Sequence, residues 1–158
     1  MYLGDSNSTK VIYEFVDYNC GYCQKFHQEL INVMNDNSLK LVIIQMPILG
    51  NFSEELTKLA LASSLQGQFK VVHNYLYSTE RKSKMEDILA DLFLRGVDLD
   101  ILKNDLDSQE VSDFLSIHRS YADEFKFTGT PATIIGNQII PGFIDAEKIT
   151  EILEKEFS

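Results

Sequence analysis

The chain has 158 residues, 44% of them apolar and 24% charged, with a formal net charge of −10. That length suits one well-packed core and is short for two, while the acidic balance argues against nucleic acid and anionic membranes as partners. No run reaches the length of a transmembrane helix, and Met1 to Asp5 lacks the charged and apolar regions of a signal peptide, so none is expected there.

Val11 to Val16 is an apolar, β-branched and aromatic run interrupted by Glu14, and reads as a strand covered on both faces. A helix is expected from Asn19 or Cys20, with Asn19 as its cap and Cys23, Phe26, Leu30 and Met34 as its buried stripe. Leu41 to Met46 forms a second buried strand, stopped by Pro47. Strand, helix and strand make a βαβ unit with parallel strands.

The middle of the chain is helical. Leu56, Leu59, Ala60 and Ser63 share one face, and Phe69, Val72, His73 and Leu76 another. Ser83 to Glu86 reads as a capping box opening a helix that Gly96 ends. A short helix near Leu99 to Leu106 and a longer one from about Gln109 to Phe125 follow. Ala132 to Gly136 and Ile139 to Ile140 flank a turn at Asn137-Gln138 and predict a hairpin. Asp145 caps a last helix with Ile149, Ile152, Leu153 and Phe157 on one stripe, and Ile144 and Ile149 form a staple across the cap.

The two cysteines, Cys20 and Cys23, stand as Cys20-Gly21-Tyr22-Cys23 at the first strand-to-helix junction. So close a pair staples nothing distant, which leaves redox or metal work as the reason for it. At a helix start the unpaired backbone N–H groups and the positive end of the dipole stabilise a thiolate. Cys20 is therefore the expected nucleophile, and Cys23, on the buried stripe, the resolving thiol.

The element order, the cysteine pair and Thr130-Pro131 before the hairpin resemble the thioredoxin fold, and the helical block before that proline narrows the resemblance to the DsbA family of thiol:disulfide oxidoreductases. The resemblance is carried by Glu14-Phe15, Asp17 to Cys23, Phe26-His27, Gly129 to Ala132 and Pro141-Gly142, and runs from about Tyr2 to the C-terminus. It implies an α/β thioredoxin fold with a four-stranded mixed sheet, helices on both faces and an inserted all-helical subdomain. The chain would then be one domain over 1–158, with a thioredoxin core at about 9–47 and 127–158 and the insertion at about 48–126.

The resemblance further implies that Pro131 is a cis-proline opposite the cysteines, and that Thr130 offers its backbone to an extended substrate and its hydroxyl to a thiolate. It also gives Glu14 a role as a buried acid that shuttles the proton of Cys23. Gly21 supplies loop freedom and Tyr22 an aromatic surface for substrate. His27, four residues after Cys23, tunes the thiols or packs as a hydrogen-bonded histidine, whereas His73 and His118 fall on apolar stripes and read as core. Gly21-Tyr22 replaces the Pro-His of the best-known members, so a milder oxidant is expected.

The activity implied is dithiol oxidation of unfolded or partly folded proteins in the periplasm or another extracytoplasmic compartment. Such an enzyme acts as a monomer without a cofactor and is reoxidised by a membrane partner. Isomerase or reductase chemistry on the same fold is the nearest alternative. A copper or zinc module on Cys20, Cys23 and His27 is the alternative of another class, short of the four ligands structural zinc wants.

Overall fold

The computed structural model describes residues 1–36 and 38–158, with Asn35 and Asp36 described by their backbone alone. Five strands, β1 (Tyr2–Gly4), β2 (Val11–Val16), β3 (Lys40–Gln45), β4 (Ala132–Ile135) and β5 (Gln138–Pro141), form one mixed sheet in the order β1-β3-β2-β4-β5. Strands β2 and β3 run parallel, joined by α1 (Gly21–Asp36), with Glu14 opposite Ile43 and Phe15 opposite Ile44. Strand β4 pairs antiparallel with β2 and with β5. The four strands expected from the sequence are present. The fifth, β1, adds a short antiparallel edge to β3, and at three residues it is too short to show a period.

Helices α2 (Asn51–Leu65), α3 (Phe69–Tyr77), α4 (Met85–Leu94), α5 (Leu99–Asp105) and α6 (Gln109–Glu124) lie between β3 and β4, and α7 (Ala146–Phe157) ends the chain. One face of the sheet carries Ile12, Glu14 and Val16 toward α1, whose Cys23, Phe26, His27 and Leu30 are all buried. The opposite face carries Phe15, Ile44 and Ala132, packed with Ala122 of α6 and with Phe127. That second face is covered incompletely, for Tyr13 of β2 is exposed where a fully covered strand was expected. A Val, Leu or Phe side chain taken from water to such a core contributes about 1.5–3 kcal/mol, so the alternating faces of β2 fix its register.

Three local expectations are corrected. Helix α4 starts at Met85 with Lys84 at its cap position and no side-chain cap bond, so Ser83 does not form a capping box. Its far end is regular: Gly96 at φ 87 donates to Phe93 O, and Val97 to Leu92 O, the paired bonds of a Schellman motif. The hairpin turn falls on Gly136-Asn137, one residue earlier than expected, with Gly136 at φ 57 in the first turn position. A Cβ at Gly136 would come within 2.6 Å of Glu156 Oε2, and Glu156 accepts from Asn137 N and from Gln138 Nε2, so the turn is clasped by α7. The third correction, at the start of α1, belongs to the site.

Candidate active site

Both cysteines sit where β2 ends and α1 begins. The backbone is set by Asp17, a fully buried acid directly after β2. Its carbonyl accepts from Cys20 N at 3.0 Å and its Oδ1 from Asn19 N at 2.8 Å, a local turn of the kind aspartate favours. Its Oδ2 accepts from Ile48 N and Leu49 N at 2.8 and 2.9 Å, tying the cysteine loop to the segment after β3. Asp17→Asn would turn an amide donor toward backbone donors, and we expect it to lower stability by about 2 kcal/mol in urea unfolding. An unchanged unfolding midpoint would show that these bonds hold nothing.

Asn19 is not the helix cap. Cys20 takes that position itself, with the backbone N–H of Cys23 donating to Cys20 Sγ at 3.4 Å. This is the reach from the third helical residue back to a capping side chain, with sulfur in place of the usual oxygen. Cys20 is half-buried and donates from Sγ to the carbonyl of Thr130 at 3.4 Å, whereas Cys23 is fully buried. Burial pushes the Cys23 thiol well above its ordinary range, while the backbone of Asp17 and the Thr130 hydroxyl pull the other way. The asymmetry fits one thiol that meets solvent and one that does not.

Thr130 thus brings its carbonyl to Cys20, and the Thr130–Pro131 peptide bond is cis. Pro131 itself accepts at its carbonyl from Gly142 N, which locks the loop to the end of β5. Gly21 opens α1 with open space where a Cβ would stand. Tyr22 is 64% exposed, with its ring 6.5 Å from that of Phe143 and the ammonium of Lys25 over it. Phe143 also meets Phe26 edge-on, so an aromatic patch continues from the buried stripe to the surface beside the cysteines.

Glu14 is fully buried and faces His27, whose Nδ1 lies 3.4 Å from Oε2; Oε1 has no hydrogen-bond partner among the described residues. His27 stacks on Tyr77 and meets His73 edge-on. His73 in turn bonds Tyr18 Oη through Nδ1 at 2.7 Å, and Gln45 Nε2 donates to the same hydroxyl. Burial, then the neighbouring His27, push His73 well below the ordinary histidine range. The structure therefore brings Cys20, Cys23, Thr130, Pro131, Gly21 and Tyr22 together, with Glu14 and His27 paired beneath, one helical turn beyond Cys23. Among the described residues no group of three or more His, Cys, Asp or Glu side chains is placed to hold a metal ion.

Two residues near the site have no role in the sequence reading, although Asp17 stands in the run that carries the resemblance. Asp17 carries the weak signal of an acid ending a buried strand. Arg81, in the connection after α3, carries none: its Nη1 donates to Tyr18 O at 2.9 Å and to Asn19 Oδ1 at 3.3 Å. A cleft of about 320 Å³ opens beside Cys20 between this connection and the start of α1. An apolar cleft of about 800 Å³ lies on the other face of the sheet, lined by Tyr13, Phe15 and residues of α6, and holds neither cysteine.

A half-exposed and a buried thiol at a helix start, with a threonine-proline loop against them on this sheet, define a thiol–disulfide oxidoreductase of thioredoxin-like fold. The family model described as Thioredoxin matches residues 1–155, and the chain belongs to that family. It is similar to a thioredoxin-like oxidoreductase from Silicibacter pomeroyi DSS-3, with a TM-score of 0.91 and 26% identity, over 98% of this chain and 90% of that one. It is similar also to the thiol-disulfide exchange protein alpha-DsbA2 from Wolbachia pipientis, with a TM-score of 0.88 and 25% identity over 98% and 85% of the two chains. A curated relative from Bacillus cereus, named "Probable disulfide bond formation protein D", is 23% identical over 161 residues, 92% of this chain and 74% of its own length.

Proposed function

We propose that this protein is a dithiol oxidase of oxidative protein folding, exchanging a Cys20–Cys23 disulfide with thiols of unfolded or partly folded substrate proteins. The observation that carries the reading is the asymmetry of the pair, half-exposed Cys20 against fully buried Cys23. A substrate thiolate attacks Cys20 Sγ, the bond to Cys23 breaks, and the Cys23 sulfur leaves with the electron pair and takes a proton. A second substrate thiolate then attacks the substrate sulfur of the mixed disulfide, and Cys20 leaves as thiolate. Two electrons pass from substrate to enzyme, and the substrate gains a disulfide.

Proton traffic at Cys23 is assigned to the buried Glu14–His27 pair, and alignment of the substrate chain to the backbone of Thr130. The reduced enzyme passes its electrons to a membrane redox partner, acts as a monomer and works outside the cytoplasm. The disulfide-forming name of the Bacillus relative supports this direction, and the thiol-disulfide exchange of the Wolbachia neighbour supports the class of chemistry. Among the described residues no helix is long and apolar enough to cross a membrane.

Equilibration with glutathione buffers tests the direction. A reduction potential near that of protein disulfide isomerase, about −180 mV, is expected, and one near the thioredoxin value of about −270 mV would make the protein a reductase. Rapid repair of a scrambled-disulfide substrate, with slow oxidation of a reduced one, would make it an isomerase.

A further inference from the structure

We infer that the cleft beside Cys20 is a subsite for a carboxylate, and that Arg81 selects substrate thiols with an acidic residue next to the reacting cysteine. The inference rests on the exchange chemistry proposed for Cys20. The cleft is bordered by Asn19, Cys20, Gln24, Ser78, Thr79 and Arg81 among others, and no residue lining it is acidic. In a chain of net charge −10 that is a local reversal of sign.

Arg81 is half-buried, and its hydrogen bonds to the loop before Cys20 run through Nη1. Among the described residues no carboxylate comes within ion-pair distance of it. The acid whose field reaches it is Asp17, and that carboxylate is buried on three backbone N–H groups. Glu80, next in sequence, is taken by Arg95 at 2.7 Å.

Arg81 also opens a basic run, Arg81-Lys82-Ser83-Lys84, in which Lys82 and Lys84 are exposed and free of ion pairs among the described residues. The next acids in sequence are Glu86 and Asp87, in the first turn of α4, and Asp91 is linked to the run through Tyr75, whose hydroxyl accepts from Lys82 N and donates to Asp91 Oδ2. A guanidinium presents five N–H donors in a planar fork that matches a carboxylate. With Nη1 occupied by the loop, Nε and Nη2 are the donors left for an anion. A substrate cysteine bonded to Cys20 would bring its neighbouring residue over this cleft, within reach of Arg81.

The test is a set of cysteine peptides that differ only in the flanking residue, glutamate, glutamine or lysine, reacted with the oxidised protein. Rates would be followed for the wild type, Arg81→Gln and Arg81→Lys. The wild type is expected to favour the glutamate peptide over the glutamine peptide about fivefold at low salt, the scale of a partly exposed ion pair. The lysine peptide should be the slowest, and the preference should shrink as salt screens the charges.

Arg81→Gln should bring the glutamate-to-glutamine ratio to about one, and Arg81→Lys should retain part of it. The ratio is the readout, so a general slowing from loop damage does not count. A wild type without preference, or an Arg81→Gln variant that keeps it, overturns the inference. Glutathione shares the carboxylate-bearing thiol chemistry; if its rate depends on Arg81 while the peptide ratio does not, the assignment to polypeptide substrates is wrong. Failure of the underlying exchange reading looks different, because no peptide would react at all.

Discussion

Cys20→Ser is expected to abolish disulfide exchange, and Cys23→Ser to leave the protein covalently bound to its substrates. The two variants differ because the two sulfurs differ in access: Cys20 is half-buried at the helix start, and Cys23 is fully enclosed beneath it. A serine oxygen cannot enter thiol–disulfide chemistry, so loss of the first sulfur removes the point of attack. In the reverse exchange, where reduced Cys20 attacks a disulfide, loss of the second sulfur leaves that attack intact and removes the Cys23 thiol that would release the mixed disulfide. Non-reducing gels of each variant mixed with a disulfide-bearing substrate read the difference directly. Trapped complexes with Cys20→Ser and none with Cys23→Ser would reverse the roles. Exchange that survives in Cys20→Ser would remove Cys20 as the nucleophile.

The second large effect concerns acid. His118 of α6 is buried, and its Nδ1 accepts from the backbone N–H of Gln45 at 3.0 Å, so that nitrogen carries no proton in the fold. Burial pulls its pKa from 6.5 down to about 4. Below about 6.5 the unfolded chain therefore binds a proton that the folded chain refuses. The stabilisation is complete above that pH and is lost as pH falls toward 4, a gap of about 3 kcal/mol. His73, also pushed down by burial, acts in the same direction.

His118→Asn keeps a side-chain acceptor for Gln45 and removes the titration. Between pH 7 and pH 4.5 the wild type should lose about 2 kcal/mol more unfolding free energy than this variant, read from urea curves at each pH. Equal losses in the two proteins would mean that His118 does not titrate against burial.

The parts of the molecule legible in the sequence are those governed by short-range periodicity. The run Val11–Val16 and the stripe Cys23, Phe26, Leu30 repeat within a few residues and keep their places in the fold, and the run Leu41 to Met46 becomes the strand Lys40–Gln45, one residue earlier at each end. The Asp145 cap is equally local, accepting from Lys148 N. What escaped depends on contacts made across the chain. Tyr2–Gly4 becomes a strand only because the edge of β3 is there to receive it. The Ser83 cap looked sound locally, yet the connection is set by other bonds: Arg81 reaches Tyr18 and Asn19, and Lys82 N donates to Tyr75 Oη.

The site divides the same way. The cysteines and Thr130-Pro131 can be found by pattern, whereas Asp17, Arg81 and Phe143 gain their places from partners 31 or more residues away or from neighbouring rings. Glu14 lies between these cases: its position in an apolar run was visible, but its pairing with His27 required the fold.

The sulfur of Cys20 closes the first turn of α1 by receiving the Cys23 N–H. Oxidation joins that same sulfur to Cys23 Sγ, so the bond that closes the helix start is not the same bond in the reduced and the oxidised protein. Conformational stability and electron affinity are then two sides of one thermodynamic cycle. Whatever free energy the reduced fold gains from this bond beyond what the oxidised fold gains from it, the disulfide gains as a tendency to take electrons. A change in the opening turn of α1, even one that touches neither cysteine, would shift the oxidising strength by the difference between its effects on the reduced and the oxidised fold.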